Sequence, residues 1–243
     1  METTSRAAAP RRLPPEERER SILDGAVALA AESGLEALTV RAVAARVGVT
    51  PALVAHYRPV MESFVAEVFT TIVAAERDEV IASYDPSVDL RTNLLRLIET
   101  LLDDSRDDVA MVWVQSWALG ARNEALGTRV RTEMDLWHSA LEDLIARAIV
   151  EDPVLREDPL RVDPDSSAWM LLAMVDGMSA HSLVHWAPRD RADLARRTLS
   201  AVLDVPVRDV PMPATPVPDA AQPAEHPAEH PAEHPAQPAE TLR

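Results

Sequence analysis

One stretch, TVRAVAARVGVTPALVAHY at positions 39–57, constrains the fold of this chain more than any other. Thr39 and Thr50 are good N-cap residues, because a side-chain oxygen can accept a hydrogen bond from the unpaired amides of a first helical turn. Pro51 suits the first position of a helix, and Gly48 suits a turn that needs a positive φ. The pattern therefore predicts two short helices joined by a tight turn, the arrangement with which a helix-turn-helix enters a DNA major groove.

The residues before this stretch extend the pattern into a longer similarity. SILDGAVALAAES at positions 21–33 predicts a helix that stops at Gly34. With GLEALTVRAVAARVGVTPALVAHY it resembles the N-terminal DNA-binding domain of the tetracycline-repressor (TetR) family over about residues 18–65. The resemblance implies a three-helix domain whose last helix, closed by Tyr57, recognises operator DNA. Three positions depart from the family pattern. The family usually has an aromatic residue at the position of Ala55, a Phe or similar residue at that of Arg58, and a phosphate-binding Lys at that of Met61.

The position of each side chain on the second helix predicts which residues meet DNA. Val54 and Tyr57 are expected to face the domain core, which leaves Leu53 and its small neighbours to touch thymine methyl groups and His56 to reach a base or a phosphate. Three arginines are predicted phosphate contacts, with ordinary solvated charges as the alternative: Arg41, Arg46 and Arg58. The full predicted DNA-binding set is Thr39, Arg41, Arg46, Thr50, Pro51, Ala52, Leu53, Ala55, His56, Tyr57 and Arg58.

Two later segments carry a second similarity. VAMVWVQSWALGARN at 109–123 and WMLLAMVDGMSAHSLVHW at 169–186 resemble the C-terminal domain of the choline-responsive, BetI-type subgroup of the same family. The resemblance implies a homodimer in which the last two helices of both subunits form a four-helix bundle. A dimer also suits DNA, because two recognition helices about 34–36 Å apart match a two-fold operator. The predicted interface residues are Leu171, Leu172, Val175, Leu183, Leu194, Leu199 and Val202.

The chain as a whole is predicted to be all-α. The predicted divisions are a disordered arm at 1–14, the helix-turn-helix domain at 15–60, a helical ligand-binding and dimerisation domain at 61–205, and a disordered tail rich in Pro, Ala, Glu and His at 206–243. The arm holds Arg6, Arg11 and Arg12, which could reach a minor groove or belong to a loose end. Further helices are predicted at 16–33, 59–84, 89–104, 107–121, 123–150, 166–186 and 190–203, the 166–186 helix capped by Asp165 or Ser166.

Tryptophan placement predicts a ligand cavity in the second domain. Trp113 and Trp117 lie one helical turn apart, and Trp137 and Trp186 could converge on them from neighbouring helices. Asp176 interrupts an apolar run, where a lone carboxylate is unfavourable unless it meets a cation. A cavity with aromatic walls and one acid suits a cationic or amphipathic organic effector. The alternative places the Trp and Met side chains in the core and pairs Asp176 with backbone or a partner subunit. Three further residues complete the predicted site: Met174, Met178 and His181.

The charge distribution favours DNA binding at the N-terminal end. Residues 1–60 contain eight Arg and seven acidic residues, whereas the whole chain carries a net charge of −16. The acidic remainder would then be held away from DNA, although acidity that serves only solubility is an equal alternative.

Several classes of function find no support in the sequence. The absence of cysteine excludes disulfides and thiolate chemistry. There is no run of about 20 apolar residues and no signal-peptide core, so a cytoplasmic protein without membrane contact is expected. No catalytic motif is present, so neither an enzyme nor a cofactor is predicted. His181 and His185 have a spacing that can hold a metal within one helix, but they lack a third ligand, and no metal site is predicted.

These observations predict a dimeric, ligand-responsive transcriptional regulator. Its expected partners are a double-stranded operator, a second copy of itself and a small-molecule effector. Repression of a palindromic operator, relieved by the effector, is the predicted mode. The alternative is a helical small-molecule-binding or interaction protein in which DNA binding is weakened or lost.

Overall fold

The computed structural model describes residues 14–188 and 190–204. The predicted arm (apart from Pro14), its arginines and the predicted tail lie outside the described residues. Within the described part of the chain, all regular secondary structure is helical. The α-helices are α1 Pro15–Ser33, α2 Val40–Val47, α3 Pro51–Tyr57, α4 Met61–Ala82, α5 Leu90–Leu101, α6 Asp107–Gly120, α7 Glu124–Glu151, α8 Pro164–Ser182 and α9 Arg191–Val202.

Helices α1 to α3 pack around one apolar core. The side chains of Ile22 and Ala26 on α1, Val43 on α2 and Val54 on α3 are fully buried together. Because α2 and α3 are too short to be stable alone, this burial supplies most of their stability. The same core includes the start of helix α4, since Phe64 belongs to this cluster of buried residues.

The remaining helices form a bundle around α7. Helix α4 packs against α7, and α6 and α8 lie against α7 as well, while α5 packs against α7 and α9. Leu141 and Ile145 of α7 are fully buried between these neighbours. None of the helices in the described ranges is both long and apolar enough to span a membrane.

Both ends of α8 differ from the sequence prediction. The helix begins two residues early, because Pro164 occupies its first turn and the Asp163 carboxylate accepts the amide hydrogen bond of Ser166. It ends at Ser182 and not at residue 186, and His185 adopts a positive φ of 56° in the turn that follows. Trp186 is consequently not a residue of α8. His181 and His185 are not neighbours on one helix, so their metal-binding spacing disappears.

Candidate nucleic-acid interface and effector cavity

Helix α3 is held by local interactions that the sequence specifies. Thr39 accepts a hydrogen bond from the amide of Ala42 (3.1 Å), and Thr50 accepts one from the amide of Leu53 (3.3 Å). Gly48 between the two helices has φ 73° and ψ 37°, the left-handed conformation that glycine adopts readily. The two caps and the turn therefore fix the angle at which α3 leaves α2.

The exposed face of α3 has the composition that the sequence predicted. Val54 is fully buried, and Tyr57 is half-buried with its ring edge against the His56 ring at 5.3 Å between centroids. Leu53 is half-buried, and four residues are exposed: Pro51, Ala52, Ala55 and His56. This surface is small and mostly apolar, so it can approach base edges closely.

The three arginines predicted to contact phosphates have different environments. Arg41 is exposed and forms no ion pair within the described part of the chain. Arg46 is exposed but binds both oxygens of Glu32 at 2.6 and 2.5 Å. Arg41 is therefore the arginine most available to a phosphate.

Arg58 differs most from its predicted role as a phosphate contact. Its side chain is only 14% exposed, pairs with Glu19 of α1 at 3.0 Å and Glu67 of α4 at 3.2 Å, and lies over the ring of Phe64. The guanidinium therefore points away from the protein surface and connects α1 to α4. Sequence spacing could not show this, because both carboxylates belong to other helices.

Three of the four predicted tryptophans line one cavity. Trp113 and Trp117 of α6 meet Trp137 of α7 around a space of about 50 Å³, closed on the α8 side by Leu172 and Val175. Trp186 is absent from this cavity and is 71% exposed. It packs instead against His181, with ring centroids 4.8 Å apart.

The space between Trp113, Trp117 and Trp137 is called the tryptophan cavity below. Its carboxylate is Glu76, a residue that the sequence analysis missed. Glu76 of α4 is buried, accepts a hydrogen bond from Trp113 Nε1 at 3.2 Å, and lies 3.8 Å from an Arg106 nitrogen. Burial raises the pKa of Glu76, while the hydrogen bond from Trp113 and the charge of Arg106 oppose that rise. Trp117 Nε1, at the same cavity, is buried and has no hydrogen-bond partner among the described residues. The cavity thus offers an acid, an unused donor and aromatic faces.

The other predicted effector residues lie elsewhere. Met178, His181 and Trp186 line a separate space with Ala187 and Pro188. Met174 and Asp176 line neither this space nor the tryptophan cavity. The predicted single site is therefore divided, and only its tryptophan part is brought together.

Asp176 is a half-buried carboxylate, and no neighbouring group stabilises its negative charge within the described residues. Loss of solvation raises its pKa to about 6, and no hydrogen bond or ion pair from the described residues opposes that shift. Since the folded-state pKa exceeds the ordinary value of 3.8, the contribution of Asp176 to folding stability is greatest below pH 4, falls as the pH rises to about 6, and is constant above it.

We expect Asp176→Asn to raise the free energy of unfolding at pH 7.5 by about 2 kcal/mol, because it removes the charge that burial disfavours. The gain should vanish near pH 4, where the native carboxyl is neutral. Denaturant unfolding at the two pH values measures both effects, with exposed Asp135→Asn as the control. Destabilisation at pH 7.5 would instead indicate a partner for Asp176.

A direct contact joins the helix of the tryptophan cavity to the DNA-binding helices. Gln115 of α6 accepts a hydrogen bond from the amide of Glu36 (3.2 Å), in the 3₁₀ turn that follows α1. Gln115 lies between Trp113 and Trp117 in the sequence, so the same segment of α6 lines the cavity and contacts the turn after α1.

Four residues predicted for the dimer interface are buried inside the single chain. Their relative exposures are at most 9%, so they pack within one subunit and are not available to a partner: Leu171, Leu172, Val175 and Leu199. Leu183, Leu194 and Val202 are half-buried. The exposed large apolar residues of α8 and of the turn after it are Trp169, Met170, Val184 and Trp186.

One group of potential metal ligands occurs among the described residues, and it was not predicted. Ligand atoms of His138, Glu142 and Asp165 lie within 4.8 Å of one another. His138 Nε2 is 3.3 Å from Asp165 Oδ1, and its ring centroid lies 4.9 Å from that of Trp169, with the two planes tilted by 44°. These contacts already explain the arrangement as a link between α7 and the start of α8.

Family models match both parts of the chain. Residues 22–68 match the model described as bacterial regulatory proteins of the tetR family, and residues 90–205 match that of the C-terminal domain of BetI-type transcriptional repressors. No curated protein sequence matches the chain significantly.

Solved structures share the fold. A putative transcriptional regulator from Saccharomonospora viridis in complex with choline has a TM-score of 0.61 and 23% identity, over 78% of this chain and 96% of that one. A putative TetR-family regulator from Rhodococcus sp. has a TM-score of 0.60 and 23% identity, over 78% of this chain and 98% of that one. The multidrug-binding protein EbrR complexed with proflavin has a TM-score of 0.55 and 21% identity, over 76% of this chain and 99% of that one. With family models matched over both its N-terminal and its C-terminal part, the chain belongs to the TetR family of ligand-responsive transcriptional regulators.

Proposed function

We propose that this regulator is a dimeric repressor of the cytoplasm, without catalytic activity, that leaves a palindromic operator when an organic cation enters the tryptophan cavity. The observation that carries the proposal is the placement of Glu76 and three tryptophans around one space. Two of these tryptophans lie on α6, the helix that also contacts the DNA-binding domain through Gln115.

The chemistry of the tryptophan cavity favours a cation. Trp rings attract positive charge through their faces, and a buried carboxylate is stabilised when a cation replaces the water it has lost. The similar protein from Saccharomonospora viridis is bound to choline, and EbrR is bound to proflavin. Both ligands carry positive charge, which agrees with the side chains found here.

The size of the tryptophan cavity supports a mechanism of release. A volume of about 50 Å³ is far below the roughly 300–1,000 Å³ of typical ligand sites, so an organic cation must separate the surrounding helices to enter. Helix α6 would move with Trp113 and Trp117 and carry Gln115 away from Glu36. A coupling of about 1–3 kcal/mol between the two sites would suffice for regulation.

The dimer face that we propose differs from the one predicted from sequence. Trp169 and Met170, at 52% and 50% exposure, form an apolar surface on α8 that a second subunit would cover. A bundle of α8 and α9 from two subunits would then hold both α3 helices on one side, as a two-fold operator requires.

DNA binding tests the proposed interface. Arg41→Ala should weaken binding of the dimer to all duplexes about tenfold and reduce the slope of log affinity against log salt by about 2, because each subunit loses one phosphate contact. Fluorescence anisotropy with the gene's own upstream DNA and with unrelated DNA, over a range of salt, measures both quantities.

Arg156→Ala removes the same charge from an exposed position in the 3₁₀ turn Leu155–Glu157, beyond the C-terminal end of α7, and should leave both quantities nearly unchanged. Equal behaviour of the two variants would refute the phosphate contact. If the wild-type protein binds no duplex from its own upstream region, the repressor proposal fails as well.

A further inference from the structure

The described residues enclose a larger cavity than the one between the tryptophans. It has a volume of about 290 Å³ and lies between the C-terminal end of α4, the middle of α5 and the second half of α7. Its apolar walls come from Val80 and Ile81 of α4, Leu97 of α5, and Ala140 and Leu144 of α7. It shares no lining residue with the tryptophan cavity.

The polar side of this α4–α5–α7 cavity carries an excess of hydrogen-bond donors. Arg96 Nε is buried and has no hydrogen-bond partner within the described ranges, and the guanidinium approaches Asp85 only to 3.9 Å. Arg147 donates to the Tyr84 hydroxyl oxygen at 2.8 Å, which leaves the hydroxyl proton of Tyr84 available. A buried donor without a partner is unfavourable, so the site is incomplete without an acceptor.

The other polar groups at the cavity do not supply that acceptor. Asn93 is satisfied locally, since its side-chain nitrogen donates to the carbonyl of Asp85 at 2.8 Å and its oxygen accepts from the amide of the same residue at 2.9 Å. The Ser83 hydroxyl donates to the carbonyl of Val80 at 2.6 Å. Asp143 is exposed and can remain hydrated at the rim.

We infer that this cavity binds a small amphipathic carboxylate, whose apolar tail lies against α4 and α7 and whose carboxylate accepts from Arg96 and Tyr84. Arginine binds carboxylates through paired donors of matching geometry, and such charge-assisted hydrogen bonds are the strong ones. A volume of about 290 Å³ lies at the low end for ligand sites and suits an acid of roughly ten non-hydrogen atoms, such as octanoate. The inference concerns a second site and does not depend on the cation proposed for the first.

Titration calorimetry with the full-length protein tests the inference with two ligands of one chain length. Octanoate should bind, whereas neutral octanol should bind at least about tenfold more weakly. Arg96→Met should weaken octanoate binding about 10- to 100-fold and leave octanol unchanged. Arg129→Met, which removes an equal charge outside the cavity, should leave octanoate binding intact.

Two results would overturn the inference. One is octanoate binding that survives Arg96→Met, or that equals octanol binding in the wild-type protein. The other is octanoate binding that is lost in Trp117→Ala but kept in Arg96→Met, since the acid would then occupy the tryptophan cavity. Thermal unfolding of each variant without ligand confirms folding, and Arg96→Lys, which keeps the charge but loses Nε, provides a second variant expected to bind with intermediate strength.

Discussion

Replacement of Gly34 by alanine should lower the free energy of unfolding by about 3 kcal/mol. Gly34 ends α1 with φ 79° and ψ 172°, a backbone conformation that essentially only glycine adopts. An added Cβ would also lie 2.4 Å from Gln115 Oε1, so the side chain of Gln115 would have to leave its hydrogen bond with the amide of Glu36. Denaturant unfolding measures the loss.

Gly48→Ala is the matched control for this prediction. Gly48 also has a positive φ, 73°, but its ψ of 37° lies in the left-handed helical region and nothing approaches its added Cβ within 4 Å. It should lose only about 1 kcal/mol. Gln115→Ala in the Gly34→Ala background should recover the steric part of the loss and leave the backbone part. Equal losses for the two glycines would show that neither the ψ of Gly34 nor its contact with Gln115 matters.

The parts of the fold that local chemistry fixes could be predicted from sequence. The caps at Thr39 and Thr50 and the turn at Gly48 depend on residues within a few positions of each other, and the structure has all three where the sequence placed them. The ends of α8 were less predictable, because Asp163, Asp165 and Ser166 compete as caps and no Gly or Pro marks the stop after Ser182.

Tertiary contacts account for the predictions that changed. Helix α8 is apolar on nearly all sides, so periodicity could not tell the face that meets its own subunit, with Leu171 and Val175, from the exposed face with Trp169 and Met170. Arg58 was predicted to contact a phosphate, whereas its carboxylate partners lie on α1 and α4, two helices whose packing the sequence pattern does not show.

The burial of Glu76 could have been predicted from the sequence. Val73, Glu76 and Val80 follow the spacing of one helix face, and both valines are buried, so an acid at the middle position had to be buried too. Its partner, the indole of Trp113, is 37 residues away and could not be inferred from spacing. A charged residue within an apolar stripe is therefore a better indicator of this cavity than the isolated Asp176.

Glu76→Gln should weaken the binding of choline about 10- to 100-fold, if the proposed effector site is correct. The substitution keeps the shape of the side chain and an oxygen that can accept from Trp113 Nε1, but it removes the negative charge. Because burial has raised the pKa of Glu76, choline affinity in the wild-type protein should also fall as the pH is lowered, and the variant should lack that dependence. Titration calorimetry between pH 5 and 8 measures both.

Glu79→Gln separates the effect of Glu76 from a general change of charge. Glu79 also pairs with Arg106, at 3.0 Å, but its side chain is 71% exposed and does not line the tryptophan cavity. Choline affinity should therefore be nearly unchanged in this variant. The neutral isostere 3,3-dimethylbutanol should bind the wild-type protein and Glu76→Gln equally, because the lost interaction acts on charge alone. Unfolding without ligand should show Glu76→Gln to be as stable as the wild-type protein or more so, since a buried charge has been removed. A variant of that stability that still binds choline with wild-type affinity would show that Glu76 does not recognise the cation, and would leave only the tryptophan faces to do so.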